Sequence, residues 1–216
     1  MKKFLTLVLL VCSATFFAQE PLEEGVIITK QTMSSPNPEV NAQLAMMGDM
    51  TTTTYFKGYK SKSEMSNPMS GDITTYIDMS EGIMVLLMDN PMMGKKYIEQ
   101  SLDLSEEDLE NIEVEMKADE SKEILGYRCV KYNVTTVKDG VELKMEMYVT
   151  DKLNISSQNT ATFVKKIKGY PMYMSMSFNQ MGMDMVQTSE VTEIRKEPVS
   201  DEQVEIKIPE GYEKGN

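Results

Sequence analysis

The sequence predicts a mostly β fold of the α+β class, in which many antiparallel strands build a single curved sheet or open barrel beside two or three short helices. Three observations carry that prediction. The first is a hairpin written into residues 126–151, GYRCVKYNVTTVKDGVELKMEMYVTD. Two alternating segments flank Asp139-Gly140, a dipeptide that favours a two-residue turn. Pairing Lys138 with Val141 sets Val134 opposite Met145, Tyr132 opposite Met147 and Val130 opposite Val149 on an apolar face. The same register puts Asn133 opposite Glu146 and Lys131 opposite Tyr148 on a polar one. Second, strand-like stretches recur at short, even spacing, without the long helical periods that parallel βαβ units need. Third, methionine, at 21 of 216 residues, alternates along the last strands as a buried sheet face does.

In chain order, residues 25–30 (GVIITK) form a first strand. Asn37, followed by Pro38 and Glu39, opens a short helix with Val40, Leu44 and Met47 at helical spacing, closing at Gly48. Residues 51–59 (TTTTYFKGY) are β-branched and aromatic and make a strand, and residues 61–66 continue the sheet. Residues 71–79 and 83–89 form a second hairpin across Ser80-Glu81-Gly82, a three-residue loop with glycine in the left-handed position. That loop sets Ile77 opposite Val85 and Tyr76 opposite Leu86. Residues 83–88 are apolar on both faces, so this strand is expected to be covered on both sides. Residues 94–100 supply the next strand. Ser105-Glu106-Glu107-Asp108 starts a short helix ending near Asn111, its acidic first turn suited to the helix dipole. Residues 112–117 return to strand alternation. Residues 158–167, with Ala161, Phe163, Val164 and Ile167, form a weakly amphipathic helix. Residues 172–178 and 181–194 make the last long hairpin, and residues 204–208 a terminal strand.

The N-terminus runs Met1-Lys2-Lys3, then an apolar stretch to Phe17, then Ala18. This is the pattern of a secretory signal peptide over residues 1–18, leaving a single domain over residues 19–216. Val11 precedes Cys12 where lipidation wants a small residue, so Cys12 belongs to the apolar run and the mature chain carries no membrane anchor. An exported, periplasmic, monomeric protein is expected. Removing Lys2 and Lys3 takes the net charge of −12 to −14, which disfavours nucleic acid and anionic lipid surfaces as partners. Cys129 is then the one remaining cysteine, so the core and not a disulfide must hold the fold.

No histidine is present, which removes Ser-His-Asp and Cys-His catalysis. The chain has no calcium loop, phosphate loop or GxSxG elbow. Cys129, beside Arg128, reads as a structural thiol, and Glu106-Glu107-Asp108 as a solvated face. Binding without a cofactor, and not catalysis, is the expectation. The methionines point to where. Met172, Met174, Met176 and Phe178 alternate on one strand and Met181, Met183 and Met185 on its partner, and an even-length loop near Asn179-Gln180 brings both sets to one face. Val134, Met145 and Met147 lie on the apolar face of the central hairpin. Three functions suit such a surface: an ordinary packed core in a structural or interaction domain, a deformable cavity for an apolar small molecule or acyl chain, and Cu(I) ligation by soft thioethers. The lack of histidine weighs against copper.

Several short motifs together resemble the periplasmic lipoprotein-carrier superfamily, the LolA/LolB-like proteins, within a branch of exported domains of unknown function. They are Tyr55-Phe56-Lys57-Gly58-Tyr59-Lys60 with the strand after it, Ile77-Asp78 before a hairpin, and Ile124-Leu125-Gly126-Tyr127-Arg128-Cys129-Val130-Lys131-Tyr132 before a long strand. Gly169-Tyr170-Pro171-Met172 and the terminal Ile208-Pro209-Glu210-Gly211-Tyr212 complete the set. The resemblance spans most of residues 20–212. It implies an open half-barrel whose concave face, covered by two or three short helices, encloses an apolar cavity for acyl chains. It also implies transient contact with envelope lipoproteins. The carriers' arginine-and-proline strand motif appears here as Lys57-Gly58-Tyr59-Lys60, without either residue. The ligand cavity expected on these grounds is walled by Val134, Met145, Met147, Met172, Met174, Met176, Phe178, Met183 and Met185.

Overall fold

The computed structural model describes residues 20–67, 71–103, 110, 112–138, 141–155, 166–180 and 182–215. The alternating stretches become strands β1 (Glu24–Ser34), β2 (Met50–Lys57), β3 (Lys60–Asn67), β4 (Gly71–Asp78), β5 (Ile83–Asn90) and β6 (Gly94–Ser101). The second half supplies β7 (Ile112–Ile124), β8 (Tyr127–Lys138), β9 (Val141–Thr150), β10 (Tyr170–Gln180), β11 (Met183–Arg195) and β12 (Glu213–Lys214). Among the described residues two helices accompany them, α1 (Pro38–Met47) and α2 (Asp201–Val204). All twelve strands join one open sheet in the order β12-β6-β5-β4-β3-β2-β1-β11-β10-β9-β8-β7. Every pairing is antiparallel except that of β12 on β6. The sheet does not close: β7 and β12 are its edges. It curls, because Leu86 of β5 and Met174 of β10 line one cavity although five strands separate them in the sheet. The face bearing those two residues is the concave one.

The central hairpin adopts the expected register throughout, from Val130↔Val149 to Lys138↔Val141. Its turn residues, Asp139 and Gly140, lie outside the described residues. Helix α1 starts where expected. The Asn37 side chain accepts hydrogen bonds from the Glu39 and Val40 backbone N–H groups, Pro38 opens the first turn, and Gly48 ends the helix at φ 72°. The last hairpin has an even loop, which sets Phe178 opposite Met185 and Met176 opposite Gln187.

Three expectations need correction. The second hairpin pairs Tyr76 with Val85 and Ile77 with Met84, one residue away from the expected register. Its loop has four residues because Asp78 Oδ1 accepts from Ser80 N (2.9 Å), Ser80 Oγ (2.5 Å) and Glu81 N (3.2 Å), closing a side-chain turn one residue early. Residues 204–208 form no strand. Val204 ends α2 and buries against Val26 and Val199, and Ile206 packs on Tyr76, Val85 and Leu87. The alternation there comes from a chain laid across the sheet's convex face, while the terminal strand is the two-residue β12. Finally, the described helix α2 does not roof the concave face. It sits on the convex side, while α1 packs on β1 with Val40 and Leu44 half-buried. The expected helix over residues 105–111 falls, except for Glu110, outside the described residues. So do residues 158–165 of the other expected helix. Ile167, which ended it, is buried and non-helical.

Candidate functional site

The register of each strand pair decides which residues share the concave face. Reading from β5 toward β1, Leu86 faces Thr75, Thr75 faces Ser63, Ser63 faces Thr54, and Thr54 faces Ile27. Across the seam with β11, Thr29 faces Val191 and Gln31 faces Ser189. Beyond it Ser189 faces Met174, Met174 faces Met147, and Met147 faces Tyr132. One sheet face thus changes character along its width. Hydroxyl and amide side chains dominate from β1 to β4, and thioethers and valines from β10 to β8.

The structure brings most of the expected wall together. Val134, Met145, Met147 and Met174 join Ile112, Val149 and Ile167 in one buried cluster, with Met176 half-buried at its edge. Ile167 is held over this cluster by Lys166, whose Nζ donates to the Ile112 carbonyl at 2.5 Å. Met172 belongs to the neighbouring cluster, packed with Ile27, Phe56, Tyr170 and Val191. It sits where the register of β10 against β9 shifts, between Pro171 and Tyr173. Met185 is buried and Phe178 half-buried farther along the hairpin, and Met183 near its tip is 38% exposed.

Two hollows flank the methionine cluster. On the β1–β4 side lies a cavity of about 280 Å³, shared by Thr29, Thr52, Thr54, Ser63 and Thr75 with Met65, Ile73, Leu86 and Met174. None of its described lining residues carries a charge. Thr54 and Ser63 bond each other through their hydroxyls at 2.9 Å, and Gln31 Nε2 donates to Thr52 Oγ1 at 3.4 Å. Tyr170 closes one wall. Burial pushes its phenol up to about 12, and the neighbouring Thr29 hydroxyl pulls the other way. Thr29 Oγ1 is itself buried and makes no hydrogen bond of ordinary geometry. On the other side lies a groove of about 1120 Å³, to which Met116, Val130, Tyr132 and Val149 contribute. By register these four share the face of Met147. Arg128, Lys152 and Lys168 line the same groove with Glu123 and Asp151. A third hollow of about 390 Å³, between the Gly58-Tyr59 turn and residues 151–155, includes Glu23, Asp151 and Lys168.

Sequence reasoning found the thioether half of this face and missed the hydroxyl half. The signal was present, because TTTT in β2 and the serines of β3 alternate onto one side. Read for propensity alone, a threonine run says only strand. Cys129 is a structural thiol: it is wholly buried, its Sγ donates to the Tyr127 carbonyl at 3.3 Å, and burial pushes its pKa up to about 11. Among the described residues no three His, Cys, Asp or Glu side chains group so as to hold a metal ion. Nor is any described helix long and apolar enough to cross a membrane.

No family model matches the chain, and no curated protein sequence matches it. Among solved structures it is similar to PNGF-II, with a TM-score of 0.48 and 15% identity over 83% of this chain and 29% of that one. The chain therefore spans less than a third of that protein's length. It is also similar to the Mycobacterium tuberculosis lipoprotein LppX, with a TM-score of 0.34 and 8% identity over 82% of this chain and 89% of that one.

Proposed function

We propose that this protein is a non-catalytic carrier or receptor for an apolar, lipid-like ligand held on the concave face of its open sheet. The observation that carries the proposal is the groove of about 1120 Å³ whose floor is Met116, Val130, Tyr132 and Val149. A hollow of that size is no packing defect. Met116 is 55% exposed on that floor, an arrangement that a filled core would not leave in water. The methionines behind it, Met145, Met147 and Met174, supply a backing of flexible thioethers that can re-pack as guests differ in shape. Residues 1–18 act in this proposal as a cleaved export signal and residues 19–216 as one periplasmic unit without a lipid anchor. Envelope lipoproteins are natural exchange partners for such a carrier.

The test is uptake of N-phenyl-1-naphthylamine, a neutral apolar dye that brightens when it leaves water. The parent protein is expected to bind it saturably. Val130→Glu is expected to weaken binding at least tenfold while leaving the protein folded, because Val130 is half-buried at the groove and a carboxylate there keeps its hydration. A parent that does not brighten the dye, or a Val130→Glu variant that binds it as well as the parent, refutes the proposal.

A further inference from the structure

The smaller cavity is built differently from the groove. Its lining interleaves two kinds of side chain: hydroxyl and amide groups on β1 to β4 and β11, and apolar ones such as Met65, Ile73, Leu86 and Met174. An apolar guest alone would leave Thr29 Oγ1 buried without a good partner, and buried polar groups without partners are strongly disfavoured. A charged guest would enter a hollow with no opposite charge among its described lining residues, and an unpaired buried charge is worse still. The remaining class is an uncharged amphiphile that carries hydroxyl, ester or amide groups beside hydrocarbon. One polar atom already waits for it. Thr29, only 8% exposed, lines the cavity beside the Tyr170 phenol with an Oγ1 that makes no hydrogen bond of ordinary geometry, while Thr54 and Ser63 satisfy each other. Tyr170 beside it stays protonated and neutral at physiological pH, since burial raises its pKa to about 12.

Resting on the lipid-binding function proposed above, we infer that the cavity at Thr29 selects amphiphiles with an uncharged, hydrogen-bonding head group, and that Thr29 bonds that head directly. Size agrees: about 280 Å³ accommodates a compact polyol ester end but not a bulky polar head.

Isothermal titration calorimetry of the full mature chain with 1-monooctanoylglycerol and with octanoate at pH 8 tests this, since the two share a chain and octanoate is fully ionised there. The monoglyceride is expected to bind at least tenfold more tightly. Thr29→Val keeps the shape of the side chain and removes only the hydroxyl. It is expected to weaken monoglyceride binding about fivefold, the worth of one neutral hydrogen bond, without changing dye uptake in the groove. Octanoate binding as tightly as the monoglyceride overturns the inference, as does a preference that Thr29→Val leaves undiminished. Both outcomes leave the carrier function standing if the dye still binds. Failure of dye and monoglyceride alike removes the carrier function and the inference with it.

Discussion

Truncating two methionines on the same sheet face separates packed core from ligand wall. Met147 is fully buried between Met174 on β10 and Tyr132 on β8 and belongs to the cluster with Val134, Val149 and Ile167. Met147→Ala deletes Cγ, Sδ and Cε from a site with no access to water. The lost transfer energy and the void left behind sum to about 2–5 kcal/mol. Met176, two register steps away opposite Met145 and Gln187, is only half-buried. Its truncation enlarges a space that solvent already reaches, so Met176→Ala is expected to destabilise by less than about 1.5 kcal/mol. In thermal unfolding, a 3 kcal/mol loss lowers Tm by roughly 6–12 °C for a domain of this length. The control is Met147→Leu, which preserves volume and is expected to stay within about 1.5 kcal/mol of the parent. Paired urea titrations at equal m-values give the free energies directly. Equal large losses at both positions would mean that the concave face is filled across its width. A loss below about 1 kcal/mol at Met147 would mean that the cluster is not packed as drawn.

Asp78 offers a pH test. Burial pushes its pKa up, but the Ser80 hydroxyl, Lys60 at 3.1 Å and the backbone N–H groups of Glu81 and Ser80 outweigh it, so its carboxyl lies below the ordinary 3.8. A depressed carboxylate stabilises the fold fully above its unfolded value and loses that contribution as pH falls through the folded one. Asp78→Ala is therefore expected to destabilise by about 2–3 kcal/mol at pH 7, and the gap between parent and variant should narrow below about pH 4. A gap that holds constant down to pH 2 contradicts the assignment. Cys129, buried and with its pKa near 11, should resist an aromatic disulfide reagent at pH 8 and react at once in 6 M guanidinium. Stoichiometric labelling of the native chain within minutes would show that the thiol is not where the packing puts it.

What could be read from the residues depended on how many independent signals agreed. At the central hairpin the turn dipeptide and the side-chain period both demand one register, and that register forms. At Ser80-Glu81-Gly82 the glycine suggests a three-residue loop, but the Asp78 carboxylate captures three donors and ends the strand first. Side-chain bonds to backbone do not appear in hydrophobic periodicity. Val204, Ile206 and Ile208 alternate as a strand would, and alternation cannot distinguish a paired strand from a chain lying across a sheet face. The methionine pattern correctly assigned a face. It could not tell Met147, enclosed on every side, from Met183 near the tip, because that difference arises from sheet curvature. Thr29 was beyond reach for the same reason. Its importance lies in which hydroxyls find partners across the trough.

The seam between β1 and β11 sets the order in which the molecule can be assembled. Strands β1 to β6 form one run of neighbours and β7 to β11 another, and the pairing of β1 with β11 is the long ladder that unites them, beside the two-residue β12–β6 pairing and the Leu22–Leu153 bridge. That ladder brings Ile27 to Ile194, almost the two ends of the chain. Contacts so distant in sequence form slowly, because the intervening chain must be gathered first. The first strand to emerge from a ribosome or a translocation pore therefore waits with one edge bare until the last long strand arrives. Pulsed hydrogen exchange during refolding should show it as late protection at Thr29 and Val191, after the amides of the central hairpin are already closed. Protection of all these amides in a single step would show that the halves dock as they fold. A chain arranged in this way stays threadable until its final strand is free, and the methionine layer and the hydroxyl wall become one trough only in that last event.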